Sequence, residues 1–170
     1  MEKSPQSVKN SRKEEKKLNA SKIRVVILEN LRSLHNVGSV FRTADGAGWD
    51  KVYLCGYTGA PPDRRIEKVS LGAEEFIEWE KIENIAELIE NLKKEGFQII
   101  ALEQTPKSRE IFKEKVSNIE KIALILGNEV SGVSAETLDK CDLHLEIPMY
   151  GQKTSLNVSI AAGIALYLMR

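Results

Sequence analysis

Ile122-Ala123-Leu124-Ile125-Leu126-Gly127-Asn128-Glu129-Val130-Ser131-Gly132 is the stretch whose reading decides the fold. Five apolar residues in a row, bounded by polar sequence and a glycine, read as a buried strand. Gly127 and Gly132 permit tight backbone geometry in the turn that follows. Free N–H and C=O groups in such a turn suit the edge of a purine. Glu129 would stand at the strand end, facing the crevice where parallel α/β sheets bind ligands. Taken alone, the same residues also fit an ordinary strand-to-helix turn.

Working outward, strand and helix signals alternate. Ile23–Leu28, Lys51–Leu54, Phe76–Trp79, Phe97–Leu102 and His144–Ile147 read as further strands. Asn36–Ala47 has helical character, with Asn36 a good N-cap and Gly48 a stop. Ile85, Leu88, Ile89 and Leu92 form an i, i+3, i+4, i+7 stripe ended by Gly96. Ser134 can cap a short helix reaching about Lys140, and Leu156–Leu168 reads as the last helix. Gly56 to Arg65, with Pro61 and Pro62, reads as a loop. Strands separated by helices predict βαβ units and a mainly parallel sheet with helices on both faces.

The composition narrows the function classes. With 170 residues the chain fits one compact domain. No segment approaches the roughly 20 apolar residues that span a bilayer, and the polar N-terminus has no secretory core, so a cytoplasmic protein is expected. Cys55 and Cys141 are far apart and read as reduced, buried thiols, not as a disulfide framework or a metal site. His35 and His144 lack metal-like neighbours. Net charge is zero, yet residues 1–24 hold eight Lys and Arg against three Glu, a surplus of five that leaves −5 on the rest. Residues 1–22 are therefore expected to be a flexible basic arm ahead of a domain at 23–170, either a handle for a polyanion or a solvated tail. Neither G-x-G-x-x-G after the first strand nor G-x-x-x-x-G-K-[ST] occurs, so neither a dinucleotide-binding fold nor a P-loop ATPase is supported.

Two more segments carry chemistry. Asn36-Val37-Gly38-Ser39-Val40-Phe41-Arg42 follows the first strand and puts an arginine among small residues, where it can approach a backbone or ligand. Ile147-Pro148-Met149-Tyr150-Gly151-Gln152-Lys153-Thr154-Ser155-Leu156-Asn157 ends a strand and leads into the last helix. A helix start near Ser155 would offer unpaired N–H groups and a positive dipole end beside Ser155 and Asn157.

Together the three segments resemble the SpoU/TrmH family of RNA 2′-O-ribose methyltransferases, within the SPOUT superfamily. The resemblance runs from about Val25 to the C-terminus, and Lys68–Glu74 also looks familial. It implies an α/β fold whose C-terminal part, from about Leu124, forms a deep trefoil knot, one of the rare exceptions to unthreaded chains. It implies S-adenosylmethionine as methyl donor, S-adenosylhomocysteine as product, and no metal. Leu102, Glu103, Gln104, Gly127 and Asn128 would contribute to the donor site, with Ile147, Met149, Ser155 and Leu156 closing it. It also implies a homodimer in which Arg42 reaches the neighbouring subunit's site, with an RNA substrate and no membrane partner.

The residue types suit that chemistry. A ribose 2′-hydroxyl is a poor nucleophile until its proton is removed or its developing charge stabilised. Arginine's free pKa exceeds about 12, so Arg42 fits an orienting and electrostatic role better than that of a base. Asn36 and Asn157 would orient Arg42 and the ribose, Glu129 would hold the cofactor loop or another polar partner, and Ser155 would lie near the methionine moiety. Arg64, Arg65 and Lys68 are candidate RNA contacts along with Arg42. Several relatives carry a separate N-terminal RNA-binding domain and others C-terminal extensions used for tRNA; those substrate determinants are expected to be missing or shortened here, so tRNA and rRNA both stay open as substrates. Two alternatives stand beside this reading: a base-modifying tRNA methyltransferase of the same superfamily, against which Ser155-Leu156-Asn157 speaks, and a non-catalytic RNA-binding relative.

Overall fold

The computed structural model describes residues 22–170, so the basic arm expected at 1–22 lies outside the described residues except for Lys22. In chain order the elements are β1 (Ile23–Glu29), α1 (Leu34–Ala47), β2 (Lys51–Cys55), α2 (Arg64–Ser70), β3 (Glu78–Ile82), α3 (Ile85–Lys94), β4 (Gln98–Leu102), β5 (Arg109–Glu110), β6 (Lys121–Leu126), α4 (Ala135–Lys140), β7 (Leu143–Glu146) and α5 (Val158–Leu168). The seven strands form one sheet in the order β3-β2-β1-β6-β4-β7-β5. Every pairing is parallel. Val26, for example, lies beside Val52 on one side and Leu124 on the other.

The apolar strands are explained by two covered faces. Val26, Leu28, Ile122, Leu124 and Leu126 point into a core shared with Val37, Phe41 and Ala44 of α1, Ile66 of α2 and Ala162 and Leu166 of α5. Their neighbours Val25, Ile27, Ala123 and Ile125 point the other way, onto Leu88, Ile89 and Leu92 of α3. Because successive side chains alternate across a strand, a two-sided sheet needs apolar residues at every position. Burying one such side chain contributes about 1.5–3 kcal/mol before conformational entropy is counted. Among the described residues no helix is long and apolar enough to cross a membrane.

Several boundaries differ from the sequence reading. Ser33, not Asn36, caps α1: its hydroxyl accepts the Asn36 N–H at 3.3 Å, which places Asn36 inside the first turn with its side chain free for other partners. Arg64 and Arg65 lie with Lys68 on α2, not in a loop. That helix starts where Asp63 accepts the Arg65 N–H at 2.9 Å, and it buries only Ile66 and Ser70, too few positions for a periodic stripe. β3 starts two residues later than expected, at Glu78, on a polar edge. α5 begins at Val158 with Asn157 as its cap, so Ser155 lies ahead of the helix. Gly48, Gly96 and Ser134 take the stop and cap positions that their chemistry suggested. Cys55 and Cys141 are unpaired, and burial pushes each thiol up to about 12.

Candidate active site

A cleft opens at the carboxyl ends of β4, β6 and β7, where parallel sheets offer ligand sites. Three loops build it: Leu102–Gln104 after β4, Gly127–Gly132 after β6, and Ile147–Leu156 after β7. All nine residues expected to contact the donor line it: Leu102, Glu103 and Gln104; Gly127 and Asn128; Ile147, Met149, Ser155 and Leu156. Val158 and Ala161 of α5 close one side.

The Gly127–Gly132 loop is compact because its two ends touch. Asn128 and Gly132 exchange backbone hydrogen bonds of 3.0 and 2.9 Å. A Cβ on Gly127 would stand 2.2 Å from Gly132 C and Val133 N, a separation no side chain tolerates. The Asn128 carboxamide is fully spent on this loop and its surroundings. Its Oδ1 accepts from Val130 N–H (2.8 Å) and Ser131 N–H (2.9 Å), and its Nδ2 donates to Asn30 O and Tyr57 Oη, both at 2.8 Å. An amide has two donor and two acceptor places, so Asn128 shapes the cleft with its side chain and has none of that capacity left over.

Glu103 and Gln104 tie the loops together. The Glu103 carboxylate accepts the Val133 N–H and the Gln104 N–H, each at 2.9 Å, which joins the β4 loop to the β6 loop. Gln104 Nε2 donates to Thr154 O at 2.9 Å, joining β4 to the long segment before α5. Leu102, Ile147, Met149 and Leu156 supply the apolar part of the lining.

Beside the cleft runs a chain of three polar side chains from three distant segments. Asn157 Nδ2 donates to Asn36 Oδ1 at 3.3 Å, and Asn36 Nδ2 donates to Glu129 Oε1 at 2.9 Å. Glu129 also accepts the Arg32 N–H (2.9 Å) and the Ser33 N–H (3.0 Å). Partial burial opposes ionisation of Glu129, but the hydrogen bonds from Arg32, Asn36 and Ser33 outweigh it and hold the carboxyl below the ordinary glutamate range. Asn157 Oδ1 meanwhile accepts the Ser159 N–H at 2.8 Å, so one amide both starts α5 and joins the chain.

Arg42 stands apart. It is exposed and does not line this cleft. Six residues along a helix is about 240° of rotation from 3.6 residues per turn, which turns Arg42 away from Asn36. Arg64 and Lys68 are exposed on α2. The Arg65 guanidinium donates to both Asp63 oxygens, at 3.1 and 2.9 Å, and pushes that carboxyl down to about 2.

Two positioning groups escaped the sequence reading. Glu29 is buried and accepts from Ser134 N–H (3.0 Å), Ser134 Oγ (2.7 Å) and Thr137 Oγ1 (2.7 Å), which fixes the start of α4 behind the cleft. The signal was a carboxylate placed directly after an apolar strand. His144 is held between Thr105 Oγ1 on Nδ1 and Leu138 O on Nε2, both 3.0 Å; a carbonyl only accepts, so Nε2 carries the proton. Among the described residues no three His, Cys, Asp or Glu side chains gather as metal ligands.

The comparisons with known proteins bear on this architecture. The sequence profile of the SpoU rRNA Methylase family matches residues 23–167. A Staphylococcus haemolyticus protein assigned to the TrmH family of tRNA/rRNA methyltransferases is 33% identical over 143 residues, 84% of this chain and 56% of that protein. The chain thus spans a little over half the length of the curated relatives it matches. Among solved structures, the AdoMet-bound rRNA methyltransferase of Sinorhizobium meliloti superposes with a TM-score of 0.81 at 27% identity, over 87% of this chain and 56% of that one. A structure described as an RNA 2′-O ribose methyltransferase gives 0.76 at 25%, over 88% and 56%. A profile that spans β1 to α5, on a parallel sheet with a three-loop cleft at its carboxyl ends, places the chain in the SpoU rRNA methylase family.

Proposed function

We propose that this protein is an S-adenosylmethionine-dependent methyltransferase acting on a ribose 2′-hydroxyl of tRNA or rRNA, with residues 23–170 as its catalytic domain. The observation that carries this reading is the three-loop cleft with the Asn36–Glu129–Asn157 chain at its side. The lining fits the donor: apolar Leu102, Ile147, Met149 and Leu156 suit an adenine, and Ser155 suits the methionine end. Bound there, S-adenosylmethionine would supply an electrophilic methyl on a sulfonium, a leaving group that needs no metal.

The chain's own residues then divide the work. Glu103, Gln104 and Asn128 hold the loops in place. Glu129 stays ionised and orients Asn36, which in turn presents its oxygen to Asn157. Arg42, from the other subunit of a homodimer, orients the ribose or its phosphate and stabilises the developing charge. The dimer is supported by α5: Ala162, Ala165 and Leu166 are buried, while Ile160, Tyr167 and Leu168 stay 56%, 57% and 42% exposed. We extend the proposal to the family's trefoil knot. It is supported by the path of 147–157, which leaves β7, is joined to the loop after β4 by the Gln104–Thr154 bond, and reaches α1 through the Asn157–Asn36 bond. The two unpaired thiols suit a cytoplasmic location.

Calorimetric titration with S-adenosylmethionine in chelator, followed by nucleoside mass spectrometry of treated tRNA and rRNA, tests the reading. Binding plus a 2′-O-methylated nucleoside is expected. No binding at millimolar donor, or a base-methylated product, overturns it.

A further inference from the structure

Next to the cleft lies a second, more open pocket, lined by Leu31, Arg32, Leu34, Tyr57, Asp63 and Arg65, with Gly59. Tyr57 is unusual in it. The residue is 62% exposed although both its ends are fixed: the N–H donates to Asn30 Oδ1 at 3.1 Å and the hydroxyl accepts from Asn128 Nδ2 at 2.8 Å. Asn30 itself sits at φ 56, a left-handed conformation that asparagine tolerates better than most residues. The backbone beneath is held by Lys81 Nζ, which donates to the carbonyls of Gly56 and Thr58. A rigid, amphipathic ring is thus held facing solvent.

Only one loop separates this ring from the cleft. Asn128 and Glu129 both line the cleft, yet Asn128 bonds Tyr57 and Glu129 bonds the Arg32 backbone. Within the pocket Arg65 is paired with Asp63, so Arg32 carries its positive surplus. An unstacked base needs an aromatic face, and its phosphate needs an arginine; both stand here side by side.

On the basis of the function proposed above, we infer that Tyr57 is a stacking platform for an unpaired base of the RNA substrate, the nucleotide flanking the one that enters the cleft, with Arg32 on its phosphate. The ring reads no base edge, so the contact is tolerant of sequence. It orders the strand, and the Asn128 bond ties that ordering to the donor loop.

The test uses the full chain, saturated with S-adenosylhomocysteine, and a short fluorescein-labelled single-stranded RNA followed by anisotropy. Tyr57→Ala is expected to weaken RNA binding about tenfold, with the affinity for S-adenosylhomocysteine kept. Tyr57→Phe, which keeps the ring and loses the Asn128 bond, retains most of the RNA affinity. An abasic oligonucleotide binds the wild type as weakly as the intact one binds Tyr57→Ala. Arg32→Ala lowers the salt dependence by about one unit of slope. Equal binding by wild type and Tyr57→Ala overturns the inference and leaves the ring for a protein contact. If Tyr57→Ala does not fold, abasic RNA binding as tightly as intact RNA overturns it. Wild-type protein that binds S-adenosylhomocysteine but no RNA defeats both this inference and the RNA reading of function; failure to bind either defeats the proposed function at its donor site.

Discussion

Three hydrogen bonds converge on Glu129, from the Arg32 and Ser33 N–H groups and the Asn36 amide. They favour the charged carboxylate, so its pKa is lowered in the folded protein. A lowered carboxyl contributes stability above its unfolded value, and that stability is lost as pH falls through the folded value. The protection of the Arg32 and Ser33 amides against hydrogen exchange, corrected for intrinsic rates, is therefore expected to hold at neutral pH and to drop only once the pH falls below the ordinary glutamate range. Protection that is unchanged down to acid unfolding would contradict this. Arg42 gives the second prediction at this scale. Arg42→Ala should lower the methyl-transfer rate constant about a hundredfold, the effect of roughly 3 kcal/mol of lost charge stabilisation, and leave donor affinity intact. Its exposure away from its own cleft allows a sharper check. Heterodimers of Arg42→Ala with Asn157→Ala should recover activity if each site draws Arg42 from one subunit and Asn157 from the other. No recovery in verified heterodimers removes the cross-subunit role.

The loop after β6 behaves as one unit because Gly127 leaves no room between its ends. Gly127→Ala would push a methyl into the backbone of Gly132 and Val133, atoms that cannot swing aside. The expected cost is about 2–3 kcal/mol, in the range for overpacking, with a melting temperature lower by several degrees. Donor affinity should fall with it, since the same loop lines the cleft. Scanning calorimetry and donor titration check both parts, and a stable variant with full affinity would show that the loop can relax. At this scale the sequence was legible where an element carries its own cap: Ser134 starts α4 and Gly48 ends α1 as their chemistry predicts. It was misleading where two residues compete for one role. Ser33 takes the cap of α1, and that frees Asn36 to face Glu129 and Asn157, partners 93 and 121 residues away in sequence.

Across the whole molecule, Arg24 ties β1 to the end of α5 and to the segment before β6. Sequence reading puts it in the first strand and counts its charge with the basic residues of 1–24, but it is buried, and its guanidinium donates to Met169 O (2.8 Å), Glu120 O (2.7 Å) and Ile119 O (2.6 Å), with longer bonds to Ile23 O and Ser117 O. A lysine has three donors on one atom and cannot reach these carbonyls together. Arg24→Lys is expected to cost about 3 kcal/mol, lowering the melting temperature by about 10 °C, and an unchanged melting curve would refute the clamp. Light scattering at micromolar concentration should give the mass of a dimer, because α5 leaves Ile160, Tyr167 and Leu168 uncovered on one chain. The sequence by itself determined the parallel sheet, since fully apolar runs such as Ile122–Leu126 require cover on both faces, and its resemblance to the SpoU/TrmH family, carried by the segments at 36–42, 127–132 and 147–157, named the donor-site candidates that line the cleft. Only the tertiary structure decided which polar groups meet. The Asn36–Glu129–Asn157 chain, the Arg24 clamp and the Tyr57 platform depend on side chains from separate strands and loops brought within 3.5 Å, and no local periodicity encodes a distance of that kind.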